Sequence, residues 1–228
     1  KLNDTEACLA ARYARIEING FPQWMESLIC AHPNAVDQVL GNELSWELNQ
    51  PPSSNGHSHL LHGVVCAPDR IGKMFLPRLE SWLDEEDGLN ASPEFEAGVV
   101  HRVQQVARAV LNHGGSEELH KLQAVALQKL EKPIRFSLRL VWLTILMRIS
   151  PHAGVEQLEN EIKTIDPSER SEVVTWFSHL FGGRQGEVNL NSEGFTPCLL
   201  LRLVRLAYAH VRIEDDAYHE GSYSPDTR

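Results

Sequence analysis

Residues 134–150 read IRFSLRLVWLTILMRIS; Pro151 follows, and GVEQLENEIKTI then runs from Gly154 to Ile165. The reading of this stretch decides the fold class. Its first half is apolar almost all the way round, interrupted only by Arg135, Arg139, Arg148 and small polar residues. It falls short of the roughly 20 apolar residues that a membrane span requires. A helix apolar on every side is a core helix covered by neighbours. The second half is amphipathic, with Val155, Leu158 and Ile162 on one stripe. The spacing therefore predicts a buried helix that turns at Ser150–Pro151 into a half-exposed one.

That phrase recurs. In LICAHPNAVDQVLGNEL, from Leu28, and VVCAPDRIGKMFLPRL, from Val64, one gap at His32 brings Cys30–Ala31 onto Cys66–Ala67 and Pro33 onto Pro68. Val36 then falls on Ile71, Leu40 on Phe75, Leu44 on Leu79 and Leu48 on Leu83. RISPHAGVEQLENEI, from Arg148, is a looser third copy. In each, a helix ends, a proline stops it and a second helix returns. Neither helix can bury its apolar face alone, so such hairpins stack, and periods of about 35 to 47 residues suit paired-helix repeats. The Trp and small-residue positions of tetratricopeptide repeats are missing as a set. The expected fold is all-α, an α-solenoid of irregular HEAT- or armadillo-like hairpins with about ten helices. A compact helical bundle is the alternative.

The rest of the chain fits this outline. Leu9, Tyr13 and Ile16 make the apolar stripe of a first helix from Asp4. Gly114–Gly115, Pro133, Asp166–Pro167 and Thr196–Pro197 mark further helix boundaries. Only Val188–Leu190 suggests a short extended piece. The helical-repeat domain is expected over residues 1–212, followed by a polar tail over 213–228. The chain begins at Lys1 rather than Met and stops in the loop-like Ser224–Arg228, so it reads as part of a longer protein.

Composition narrows the function. Of the 228 residues 42% are hydrophobic, enough for a packed core, and the net charge of −10 disfavours nucleic acid as a partner. The four cysteines lie far apart, without a CxxC, and are expected to be small buried hydrophobes in a reducing compartment. No signal peptide or membrane segment is legible, so the chain is expected to be cytoplasmic and off the membrane.

No catalytic signature of the GxSxG, HExxH or P-loop type occurs, and no cofactor is expected. Two stretches hold ligand-type residues. His59, His62 and Cys66 share a helix face beside His57, and imidazole and thiolate are zinc ligands. A packed helix beside a His-rich loop accounts for them better. In the tail, Glu214, Asp215, Asp216 and Glu220 flank Tyr218, His219 and Tyr223. Carboxylates near a histidine serve acid–base chemistry only in a pocket, and a terminal loop offers none. A helical enzyme or metal-binding domain using residues 57–66 or 214–220 is thus the rival to a non-catalytic recognition module. Contact residues for the module are Trp24, Trp46, Trp82, Tyr218, His219 and Tyr223, although each tryptophan also suits a core position.

The segments RLVRLAYAHVRIEDDAYHEGSYSPDTR, from Arg202, and FPQWMESLICAHP, from Phe21, resemble the C-terminal helical-repeat regions of large bacterial STAND NTPases of the NACHT class, several of which act in antiphage defence. No Walker motif is present. The resemblance implies that an ATPase would precede Lys1 and that this segment is a sensor or scaffold, binding a protein partner or other domains of the same chain. No functional residue transfers position by position.

Overall fold

The computed structural model describes residues 2–14, 16, 20–51, 58–86, 95–165, 170–182 and 187–211. Among them every regular element is helical: α1 (Asp4–Ala14), α2 (Met25–Ala31), α3 (Pro33–Val36), a π turn (Asp37–Gly41), α4 (Asn42–Asn49), α5 (His59–Val65), α6 (Asp69–Glu85), α7 (Glu96–His113), α8 (Ser116–Leu130), α9 (Phe136–Ile149), α10 (Pro151–Thr164), α11 (Arg170–Phe181) and α12 (Pro197–His210). The protein is all-α. The extended piece expected at 188–190 does not form a strand. Val188 instead donates its amide to Leu180 O at 3.1 Å and buries its side chain. The chain divides into two compact units, residues 1–141 and 142–228.

The proline punctuation works as the sequence suggests. Pro33 and Pro151 occupy the first turns of α3 and α10, where the missing amide hydrogen costs nothing, and Pro68 is the residue before α6. The aligned apolar positions are core positions. Val36, Leu40, Leu44 and Leu48 in one copy, Ile71, Phe75, Leu79 and Leu83 in the next, and Val155, Leu158 and Ile162 in the third are all buried.

In the first unit α6 packs on α7, and α7 on α5 and α8. Gly72 of α6 makes the close approach of α7 possible. A Cβ there would lie 2.3 Å from the His113 ring, whose Nε2 donates to Val64 O at 2.9 Å. Glu80 of α6 faces Lys121 of α8 at 3.8 Å, and further along both helices Lys129 Nζ donates to Asp84 O and Glu86 O at 2.6 and 3.1 Å. Helices α6 and α8 therefore run in the same sense with α7 returning between them. Long polar side chains close the helix ends. Arg102 donates to Leu48 O and Gln50 O at 2.8 and 2.7 Å, satisfying carbonyls at the C-terminus of α4. Burial pushes the Arg102 guanidinium below its usual range, against the opposing pull of Glu86 and Glu47. The Glu47 carboxylate in turn accepts from Leu60 N and Leu61 N, both at 3.1 Å, at the start of α5.

In the second unit Gly154 lets α10 close on the segment before it, since a Cβ would meet Met147 Cγ at 2.3 Å. Thr196 caps α12 by accepting from Leu199 N at 3.3 Å. Arg202 ties α12 to α10 through a two-armed ion pair with Glu159, at 2.5 and 2.6 Å. Val173, Trp176 and Leu180 supply the buried face of α11. The boundary between the two units falls within α9, and its apolar residues are buried on both sides of it, Leu138, Leu140 and Val141 in the first unit and Trp142, Leu143, Ile145, Leu146 and Met147 in the second. Its 14 residues are shorter than a span, and among the described residues no helix is long and apolar enough to cross a membrane.

Candidate interaction surfaces

The first helix reverses its expected orientation. Leu9, Tyr13 and Ile16 were the stripe that periodicity assigns to the core. In the structure Leu9 and Tyr13 of α1, and Ile16 in the turn beyond its end, are 50, 65 and 70% exposed, while Ala7, Ala11 and Ala14 are buried on the opposite side. The reason is steric. Helix α1 lies against α2, α3 and the π turn, and a face of methyl groups allows a closer approach than one of Leu and Tyr. The larger apolar side chains are left facing outward.

Helix α12 has the same construction. Leu199 and Leu203 are buried, whereas Leu201, Val204 and Tyr208, at i, i+3 and i+7, are 51, 63 and 91% exposed on the other side. An open cavity of ≈ 590 Å³ runs along this helix between Glu159, Cys198, Leu201, Arg202, Arg205, Leu206 and Ala209. A helix apolar on two sides normally has two neighbours, and single exposed apolar residues are ordinary where a spaced row is not.

The π turn carries the most elaborate polar cluster. Arg78 donates from Nε and Nη2 to Asp37 Oδ1 and Oδ2 at 2.8 and 2.7 Å, from Nη1 to Ser45 Oγ at 3.0 Å and from Nη2 to Asn42 Oδ1 at 3.2 Å. The hydrogen bond that Arg78 donates to Asp37, and then the charge of Asp37, raise the Arg78 pKa despite partial burial. On the same turn a second open cavity of ≈ 500 Å³ is lined by Cys8, Arg12, Gln38, Val39, Asn42 and Glu43. Through Asp37, Asn42 and Ser45 the Arg78 guanidinium fastens the turn and the start of α4 to α6.

The positions expected from sequence separate. Trp24 and Trp46 are 43 and 62% exposed, whereas Trp82 is 8% exposed and belongs to the core of α6. His59, His62 and Cys66 are exposed, with His62 Nε2 4.0 Å from Cys66 Sγ. Among the described residues no group of three or more His, Cys, Asp or Glu could hold a metal ion. His57 and residues 214–220, with Tyr218, His219 and Tyr223, lie outside the described residues. The cysteines are corrected outright. Cys30, Cys66 and Cys198 are exposed and Cys8 is half-buried. Cys30 and Cys66 stand at the ends of short helices, where the buried face is already filled by Leu28 and Ile29 or by Val64 and Val65.

No protein-family model matches the chain, and comparison with curated proteins and with solved structures finds no similar one.

Proposed function

We propose that this chain is a non-catalytic helical-repeat module that holds protein partners or other domains of its own chain, serving as scaffold or sensor. The observation that carries this reading is the two-sided construction of α1, with an alanine face buried and Leu9 and Tyr13 outward, followed by Ile16, also exposed, in the turn beyond. Exposed apolar residues in a spaced row on the outer side of a helix suit contact with another protein surface, and α12 shows the same row at Leu201, Val204 and Tyr208. Stacked hairpins supply rigidity, so residues displayed on them reach a partner with little ordering cost. The resemblance of residues 21–33 and 202–228 to STAND-class NTPases suggests the setting, a bacterial antiphage sensor in which nucleotide hydrolysis is carried out elsewhere.

Photo-crosslinking tests the reading. With benzoylphenylalanine at position 13 of the full-length protein in its native cell, one discrete crosslinked species is expected; with the same group at the exposed, polar position 120, none. Equal, diffuse labelling from both positions would overturn it.

A further inference from the structure

The uncovered face of α12 differs from that of α1 in its charge. The chain carries 31 acidic residues against 21 Lys and Arg, yet none of the acids lies within Pro197–His210. Arg202, Arg205 and, from α10, Glu159 line the groove, and His210 is exposed at the C-terminal end. Arg202 is already committed to Glu159. Arg205 is exposed, one turn beyond Leu201, and among the described residues it has no counter-charge. Around it stand Leu201, Val204 and Tyr208, with Tyr208 almost wholly outside the fold.

This pattern has the composition of an interface centre. Aromatic residues and Arg are enriched there and Lys, Glu and Asp depleted, and Tyr and Arg dominate the residues whose truncation costs most. The i, i+3, i+7 spacing is the one by which one amphipathic helix reads another. We propose that the α12 face is the docking site for an amphipathic helix whose apolar stripe is flanked by Asp or Glu. Its leucine-type side chains lie in the groove beside Leu201 and Leu206, and its carboxylate meets Arg205. A basic helix is disfavoured because it would bring like charge against Arg205. The overall charge of −10 slows the approach of any acidic partner, so the selectivity resides in the local contact. The proposal rests on the recognition role above and specifies its partner at one face.

The test is fluorescence anisotropy on the full 228-residue chain with three labelled 18-residue helical peptides. One carries Leu at i, i+3, i+7 flanked by Glu, one has every Glu replaced by Lys, and one has every Leu replaced by Ala. The Glu/Leu peptide is expected to bind on the order of tenfold tighter than the Lys/Leu peptide, a difference of about 1.4 kcal/mol, and the Ala peptide not at all. Arg205→Glu should reverse the charge preference, Tyr208→Ala should weaken binding of both Leu peptides, and Tyr13→Asp should change nothing. These positions are exposed, so circular dichroism should be the same for all variants. Equal affinity for the two Leu peptides, no binding of either, or a preference that survives Arg205→Glu would overturn the proposal. Crosslinking from position 13 that persists while the peptides fail removes this inference alone; loss of both removes the recognition role as well.

Discussion

The backbone of Gly41 approaches Arg78 so closely that a Cβ on Gly41 would sit 2.5 Å from Arg78 Nε and 2.2 Å from Asp37 Oδ1. The π turn, the Arg78–Asp37 fork and the missing side chain thus form one device that fastens the turn to α6. Alanine is ordinarily favoured over glycine in a helix by about 0.5–1 kcal/mol. Here Gly41→Ala is expected to destabilise by about 1–3 kcal/mol, because the fork must open. Arg78→Lys keeps the charge, loses the two-armed geometry and should cost less. Urea unfolding of the two variants checks the order; a Gly41→Ala protein as stable as the parent would show that the fork is not needed.

The repeat register was legible in the sequence, because apolar residues at helical spacing after a proline have one economical arrangement, and Leu40 with Phe75 or Leu44 with Leu79 all reached the core. The π turn was not, since Asp37–Gly41 reads as ordinary amphipathic helix and its cause, Arg78, lies on another helix. The orientation of α1 failed for a related reason. Periodicity shows that two faces are apolar, but not which one a neighbour can approach, and Ala7, Ala11 and Ala14 win by size. Arg102 and Lys129 are charged residues that reach backbone carbonyls at distant helix ends, which no local pattern announces. The exposed face of α12 was hidden because its leucines occur all round the helix.

Two carboxylates should shift stability with pH in opposite directions. Glu159 is held below the usual carboxylate value of 4.5 by its hydrogen bond and charge contact with Arg202. A depressed carboxylate stabilises above its unfolded pKa, and the contribution disappears as pH falls through the folded value. Glu80 is raised above 4.5, first by desolvation and then by Glu118 and Glu117, against the lowering influence of Lys121. Its Oε1 is buried without a hydrogen-bond partner. Its stabilising contribution is present below the unfolded pKa and is lost as pH rises through the folded one. Glu80→Gln is therefore expected to raise the melting temperature at pH 7, and Glu159→Gln to lower it. At pH 3 the gap between each variant and the parent should narrow. A melting temperature unmoved by Glu80→Gln at pH 7 would count against the raised value.

Trp142 is 2% exposed and among the largest fully buried side chains. Truncation leaves a cavity in a helix that has no polar face to turn outward, so Trp142→Ala should cost about 3–5 kcal/mol. Near-ultraviolet circular dichroism should lose only the part of its tryptophan fine structure that Trp142 contributes, Trp82 and Trp176 remaining buried, and Trp142→Asp should abolish cooperative unfolding. A folded Trp142→Asp protein would show that α9 is not the centre of the packing.

The orientation of α1 can be tested by reversing the usual expectation about which substitution is severe. Ala11 is fully buried and Tyr13 is 65% exposed. If the alanine face is the packed one, Ala11→Leu inserts three carbons where helices α2, α3 and the π turn lie against α1. The cost should be about 1–3 kcal/mol from overpacking, even though leucine is the more hydrophobic residue. Tyr13→Asp removes a large ring and adds a charge, yet at an exposed site it should change stability by no more than about 0.5 kcal/mol. It should also improve solubility, because it interrupts the row of Leu9, Tyr13 and Ile16. Thermal and urea unfolding of the pair decide the matter. A mild Ala11→Leu together with a severe Tyr13→Asp would place the Leu–Tyr–Ile face in the core and remove the principal support for a docking role of α1.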